Sequence, residues 1–114
     1  MASTVEYRQI VDDRFAELEA IFKQSSDKDG AKTAIVRDFE RGCFLIVRFG
    51  WRDKHRIRAV TMYVRVEGEQ VIVEEDMTDW RLVDRLIENG IPPEHIILAF
   101  QEDQPTVADC TVFA

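Results

Sequence analysis

Cysteine is scarce in this chain, with Cys43 and Cys110 the only two. Two thiols and no Cys-x-x-Cys spacing give neither a disulfide scaffold nor a thiolate zinc site. Both lie in apolar, strand-like stretches and read as small buried side chains. Histidine is equally scarce, and His55 and His95 are remote from both cysteines in sequence. No P-loop, dinucleotide-binding glycine motif or nucleophile elbow occurs. Three prolines and five glycines in 114 residues leave no low-complexity linker. No apolar run approaches the ~18 residues of a membrane span. The first twenty residues carry Glu6, Asp12, Asp13, Glu17 and Glu19, unlike a signal peptide, so the expected location is cytoplasmic, without a membrane.

What is present is an ordinary globular balance of 46% hydrophobic and 32% charged residues, enough for a single domain spanning 1–114. The net charge is −7, unevenly spread. Residues 1–66 hold 13 basic against 10 acidic side chains, a net of +3, and residues 67–114 hold 2 against 12, a net of −10. The acidic whole disfavours general binding to phosphate backbones. The asymmetry leaves room for a local basic patch and for a basic protein partner on the acidic side.

Ser3-Thr4-Val5-Glu6 reads as a capping box. Behind it Tyr7, Ile10, Val11, Phe15, Leu18, Ile21 and Phe22 recur at three- and four-residue spacing, predicting one apolar face of a long helix over about residues 4–24. A polar loop at 25–30 follows, and then a run of strands. Residues 32–39 alternate. Glu40-Arg41-Gly42 is a hairpin turn. Cys43–Phe49 is apolar on nearly both faces and reads as a central strand. In 57–66, Val60, Met62, Val64 and Val66 are expected on one face, and Thr61, Tyr63 and Arg65 on the other. Gly68 turns the chain into a fourth strand at Val71–Val73. Short turns between four strands predict an antiparallel meander.

A second helix is expected over about 79–89, with Thr78 as its N-cap, an apolar stripe at Trp80, Leu82, Val83, Leu86 and Ile87, and a left-handed stop at Asn89-Gly90. Ile91 would fold back on that stop, and Pro92 and Pro93 forbid continuation. Ile96–Phe100 reads as a short buried strand, 101–105 as a loop, and Cys110–Phe113 as a last strand. The fold class is α+β: an antiparallel meander of about four strands plus C-terminal strands, with a long N-terminal helix and a second helix packed on the sheet.

Few constellations carry chemistry. Arg48, Trp51, Arg52, Lys54, Arg56 and Arg58 form the one basic segment with an aromatic. It reads either as a phosphate or nucleic-acid contact with Trp51 as a stacking platform, or as a solvated hairpin with Trp51 anchored in the core. Glu74-Glu75-Asp76 with Asp79 resembles a hard-metal cluster, but strand alternation should send Glu74 and Glu75 to opposite faces. A small enzyme built around Asp38, Tyr63 and Asp76 is a further alternative. No catalytic residue, metal ligand or cofactor is assigned.

The whole chain resembles the XisI-like family, the fdxN element excision controlling factors of cyanobacteria. The resemblance is carried by Asp38-x-Glu40-Arg41, by Gly50-Trp51 ending a hydrophobic strand, by Arg56 soon after, and by Asp76-x-Thr78 before the second helix. It continues through Gly90-Ile91-Pro92, Ile97-Leu98-x-Phe100 and the terminal Thr111-x-Phe113-Ala114. The chain departs from the family pattern at Gly42-Cys43-Phe44, Tyr63, Arg65, Gly68-Glu69, Ile72 and Met77, where the family usually has other residues, several of them polar. It therefore reads as a divergent member. The resemblance implies a regulatory, non-enzymatic accessory role in programmed DNA rearrangement during heterocyst differentiation. It also implies a protein partner of the XisH-like kind and a separate recombinase that does the strand chemistry. Self-association into a homo-oligomer is left open.

Overall fold

The computed structural model describes residues 4–24 and 30–101. Helix α1 spans Thr4–Gln24, as its apolar spacing predicts. Four strands follow, β1 (Ala31–Asp38), β2 (Cys43–Arg52), β3 (His55–Glu67) and β4 (Gln70–Asp76). Helix α2 (Leu82–Glu88), a 3₁₀ turn at Pro93–His95, strand β5 (Ile96–Leu98) and a second 3₁₀ turn at Ala99–Gln101 complete the order. The strands lie side by side as β1-β2-β3-β4-β5. The first three pairings are antiparallel, and β5 runs parallel to β4. The expected meander thus holds for four strands. The parallel fifth follows from the connection, because a chain that leaves β4 through a helix returns in the same direction.

One face of the sheet carries both helices. Tyr7, Val11, Phe15 and Leu18 of α1 form a single cluster with Phe44, Ile46, Met62, Val64, Val66, Val71 and Val73 of the sheet and Leu82, Leu86 and Ile91 of the α2 region. These residues are every second position of their strands, the face that period-2 alternation delivers. The helical stripe is shorter than its sequence suggests. Ile21 and Phe22 are exposed, because α1 runs past the packed core after Leu18.

Two bulges reset the alternation. Ile46 pairs with Met62 but Val47 pairs with Val60, so Thr61 is an extra residue in β3. Val60 consequently turns to the open face and is 41% exposed, against the expectation that it joins Met62. The bulge has its own bonds. The Thr61 carbonyl accepts from the Met77 N–H at 2.8 Å, and its hydroxyl donates to the Ile46 carbonyl at 3.4 Å. In β4, Tyr63 pairs with Glu75 and Val64 with Val73, leaving Glu74 extra. Glu74 and Glu75 therefore share the open face instead of dividing between faces, and Glu74 binds Arg65 there.

Helix α2 starts three residues later than expected, at Leu82. Arg81, in the left-handed region at φ 62°, is its N-cap, with no side-chain capping bond. Thr78 instead closes a turn on Asp76, whose Oδ1 accepts from the Thr78 N–H at 3.0 Å and hydroxyl at 2.8 Å. The far end matches its sequence. The Gly90 N–H donates to the Ile87 carbonyl and the Ile91 N–H to the Leu86 carbonyl, both at 3.1 Å, with Gly90 at φ 108° and Ile91 buried. This is the paired bonding of a Schellman stop. β5 differs from the expected Ile96–Phe100 strand: it stops at Leu98, its residues are half-buried as befits an edge, and Phe100 lies in the following turn. Ser3 of the expected capping box, the loop at 25–29, Cys110 and the expected strand at 110–113 lie outside the described residues.

Candidate functional site

The sheet's second face has no helix over it among the described residues. Its composition changes along the strands. At the end near β4, Arg65 donates to Glu74 at 2.8 Å and also pairs with Glu67. Burial opposes the charged guanidinium, but the bonds to these carboxylates hold Arg65 above its ordinary pKa. Beside it the Cys43 thiol, half-buried and unbridged, approaches the Tyr63 hydroxyl at 3.9 Å. Burial, then the neighbouring thiol, pushes the Tyr63 phenol up. In the middle lie Val36, Leu45, Val47 and Val60, all at least partly exposed.

The other end is basic and aromatic. Register sets Trp51 opposite Arg56, and Phe49 between Lys32 on one side and Arg58 on the other. Trp51 is 57% exposed and Phe49 42%, so Trp51 is not a core anchor. The Arg56 guanidinium lies over the Trp51 ring, 5.8 Å from its centroid. A shallow hollow of about 370 Å³ is lined by Gly30, Lys32, Phe49, Gly50, Trp51 and Arg56. Among the described residues, Lys32, Arg56 and Arg58 meet no carboxylate.

The six basic-segment positions therefore divide. Arg56 and Arg58 join Trp51 on the open face. Arg48 pairs with Thr33 and Ala59 on the helix-bearing face, where it lines a cavity of about 340 Å³ with Phe22, Ile46, Thr61, Met77 and Thr78. Arg52 alternates to that same side opposite His55, and Lys54 sits in the exposed hairpin turn. Lys32 and Phe49 were not part of the sequence expectation. Phe49 was within reach of period-2 reasoning from Trp51, whereas Lys32 needed the β1–β2 register.

Gly50 makes this end possible. Its φ is 129°, and a Cβ there would sit 2.8 Å from the Gly30 carbonyl oxygen. Only glycine lets the start of β1 pass this close to β2.

Asp38, Tyr63 and Asp76 do not form one site. Asp76 pairs with Met62 and so belongs to the helix-bearing face, while Tyr63 belongs to the open one. Asp38 is engaged by Arg41, whose N–H donates to Oδ1 at 3.0 Å and whose guanidinium donates to Oδ2 at 3.1 Å. The backbone bond, then the side-chain bond, lowers the Asp38 pKa. No group of three His, Cys, Asp or Glu among the described residues could hold a metal ion. His95 finds its partner at the other end of the chain: the Tyr7 hydroxyl lies 2.5 Å from His95 Nδ1.

A match to the XisI protein family spans residues 1–114. The chain belongs to the XisI family. Its fold matches the crystal structure of a XisI-like protein from Anabaena variabilis ATCC 29413, at TM-score 0.75 and 22% identity over 87% of this chain and 88% of that one. It also matches the fdxN element excision controlling factor XisI from the same organism, at TM-score 0.73 and 24% identity over 87% and 88% of the two chains. No curated protein matches it.

Most of the positions on which the family resemblance rests serve the fold. Asp38 closes the β1–β2 turn, Gly50 permits a close approach, Asp76 and Thr78 close the turn after β4, and Gly90, Ile91 and Pro92 end α2. Glu40, Trp51 and Phe100 are exposed instead. Thr111 and Phe113 lie outside the described residues.

Proposed function

We propose that this protein is a non-enzymatic accessory factor that acts in the cytoplasm through a protein partner, in programmed DNA excision or a related process. The observation that carries this reading is the XisI family match along residues 1–114, joined to the fold of an fdxN element excision controlling factor. The charge distribution supports a partner of basic character. Residues 67–114 carry a net −10 from 2 basic and 12 acidic side chains, which would steer a basic surface toward them. The partner that the family resemblance suggests is XisH-like.

Co-expression with an XisH-like protein, followed by affinity capture of one tagged chain, should retain both. Retention should be strongest at ~50 mM salt and weaken as salt screens the contact. Clean separation at low salt would overturn this reading.

A further inference from the structure

We propose that the open sheet face at Lys32, Phe49, Trp51, Arg56 and Arg58 binds single-stranded nucleic acid, its bases stacking on the two aromatic rings and its phosphates meeting the three cations. The proposal does not rest on the protein-partner reading, and it changes the sequence expectation of a basic loop. Two of that loop's cations, Arg48 and Arg52, belong to the opposite face, and Lys32 joins from another strand.

The aromatics are the first argument. Phe49 and Trp51 are two residues apart on β2, so they share a face at about 7 Å along the strand. Both are substantially exposed where the packing of the core gives them no role. Exposed rings at this spacing on an open antiparallel sheet can each take a base, because every base has a stacking face. In a duplex those faces are already stacked on one another, and only base edges and phosphates are presented.

Charge is the second argument. Lys32 and Arg58 flank Phe49, and Arg56 lies over Trp51. None of the three is neutralised by a carboxylate among the described residues. The chain is acidic overall, yet among the described residues the acid near this end is Asp53 in the exposed β2–β3 turn, outnumbered by Lys32, Lys54, Arg56 and Arg58. Glu75 stands opposite Tyr63, several residue pairs along β3 from the Trp51–Arg56 pair, a separation of roughly 20 Å at about 3.3 Å per residue. That exceeds the screening length of about 8 Å at physiological salt, so the basic end acts locally as a cationic surface. A purely acidic protein segment would satisfy the cations but leave two ring faces unused.

The test is fluorescence anisotropy of labelled oligothymidylate, about 20 nucleotides long so that it exceeds common single-domain site sizes. The same assay is run on a duplex of that length and on poly-glutamate. Single-stranded DNA should bind best of the three at ~50 mM salt. Three phosphate contacts give a log–log salt slope of about −2, or roughly 20-fold weaker binding at 200 mM. Trp51→Ala should weaken binding by about 5- to 150-fold, the range of one lost stacking platform. The double variant Arg56→Gln, Arg58→Gln should weaken it and flatten the salt slope. These side chains are exposed, so unchanged circular-dichroism melts should accompany each loss. Three results would overturn the proposal: no binding at ~50 mM salt, equal or tighter binding of duplex or poly-glutamate, or full binding by Trp51→Ala. Because the partner pull-down uses the unsubstituted chain and no DNA, either idea can fail without the other.

Discussion

Individual side chains here are mostly committed to local geometry. Asp38 is the clearest case: its carboxylate accepts from both the backbone and the side chain of Arg41. Those bonds favour the ionised form and lower its pKa in the folded protein. A group whose folded pKa lies below its unfolded value adds stability above the unfolded value, near 4, and loses that contribution as pH falls through the folded value. Asp38→Ala should therefore be less stable than the parent at neutral pH, with the difference shrinking below about pH 4. Urea unfolding at pH 7 and pH 3 measures both. A pH-independent difference would mean that the charge contributes nothing.

Tyr7 is a second residue-scale commitment. Its ring is buried in the core and its hydroxyl reaches His95 at 2.5 Å. Desolvation by burial, followed by nearby Glu69 and Glu94, raises the phenol's pKa, so the hydroxyl stays protonated at physiological pH. Tyr7→Phe keeps the packing and deletes the hydroxyl. It should cost about 1 kcal/mol in a denaturant titration, the net worth of one partly buried hydrogen bond.

At the scale of elements, the bulge at Thr61 decides what faces where in β3. The sequence alternates from Val60 to Val66 without a break, and alternation alone puts Val60 in the core. Val60 instead pairs with Val47 on the open face, while Met62 is fully buried against α1. Val60→Thr should change stability by no more than about 0.5 kcal/mol. Met62→Ala should cost about 2–5 kcal/mol through lost burial and the cavity left behind. Comparable losses for the two variants in thermal or urea unfolding would contradict the bulged register. Helix α2 teaches a similar lesson. Its C-terminal stop was legible because Asn89-Gly90-Ile91-Pro92 contains each residue type the stop requires. Its start was not, because Asp76 competes for Thr78 and draws it into a turn before the helix begins.

At the scale of the whole molecule, the sheet covered on one side among the described residues is the governing fact. Two helices cover one face, and the other runs from an acid-paired end at Arg65 to an unpaired basic end at Arg56. Charge is segregated in sequence, +3 over residues 1–66 and −10 over residues 67–114. The predictions at this scale are the two binding experiments above: a basic partner drawn to the acidic portion, and a single strand drawn to the basic end. They differ in salt response and in the residues that matter, so each can be read separately.

The sequence by itself determined the elements and their order. Amphipathic spacing marked α1, short turns marked four antiparallel strands, and a glycine–proline stop marked the end of α2. Each is a local property of a few neighbouring residues. Whole-chain resemblance also reached the family from sequence. Tertiary structure alone decided the bulges, the parallel β5, the Tyr7–His95 bond and the candidate site. Each depends on which residue faces which across strands, a register fixed by packing and by backbone hydrogen bonds between distant segments. For this reason Lys32 and Arg58 meet around Phe49, while Arg48, a neighbour of Phe49 in sequence, faces the other way.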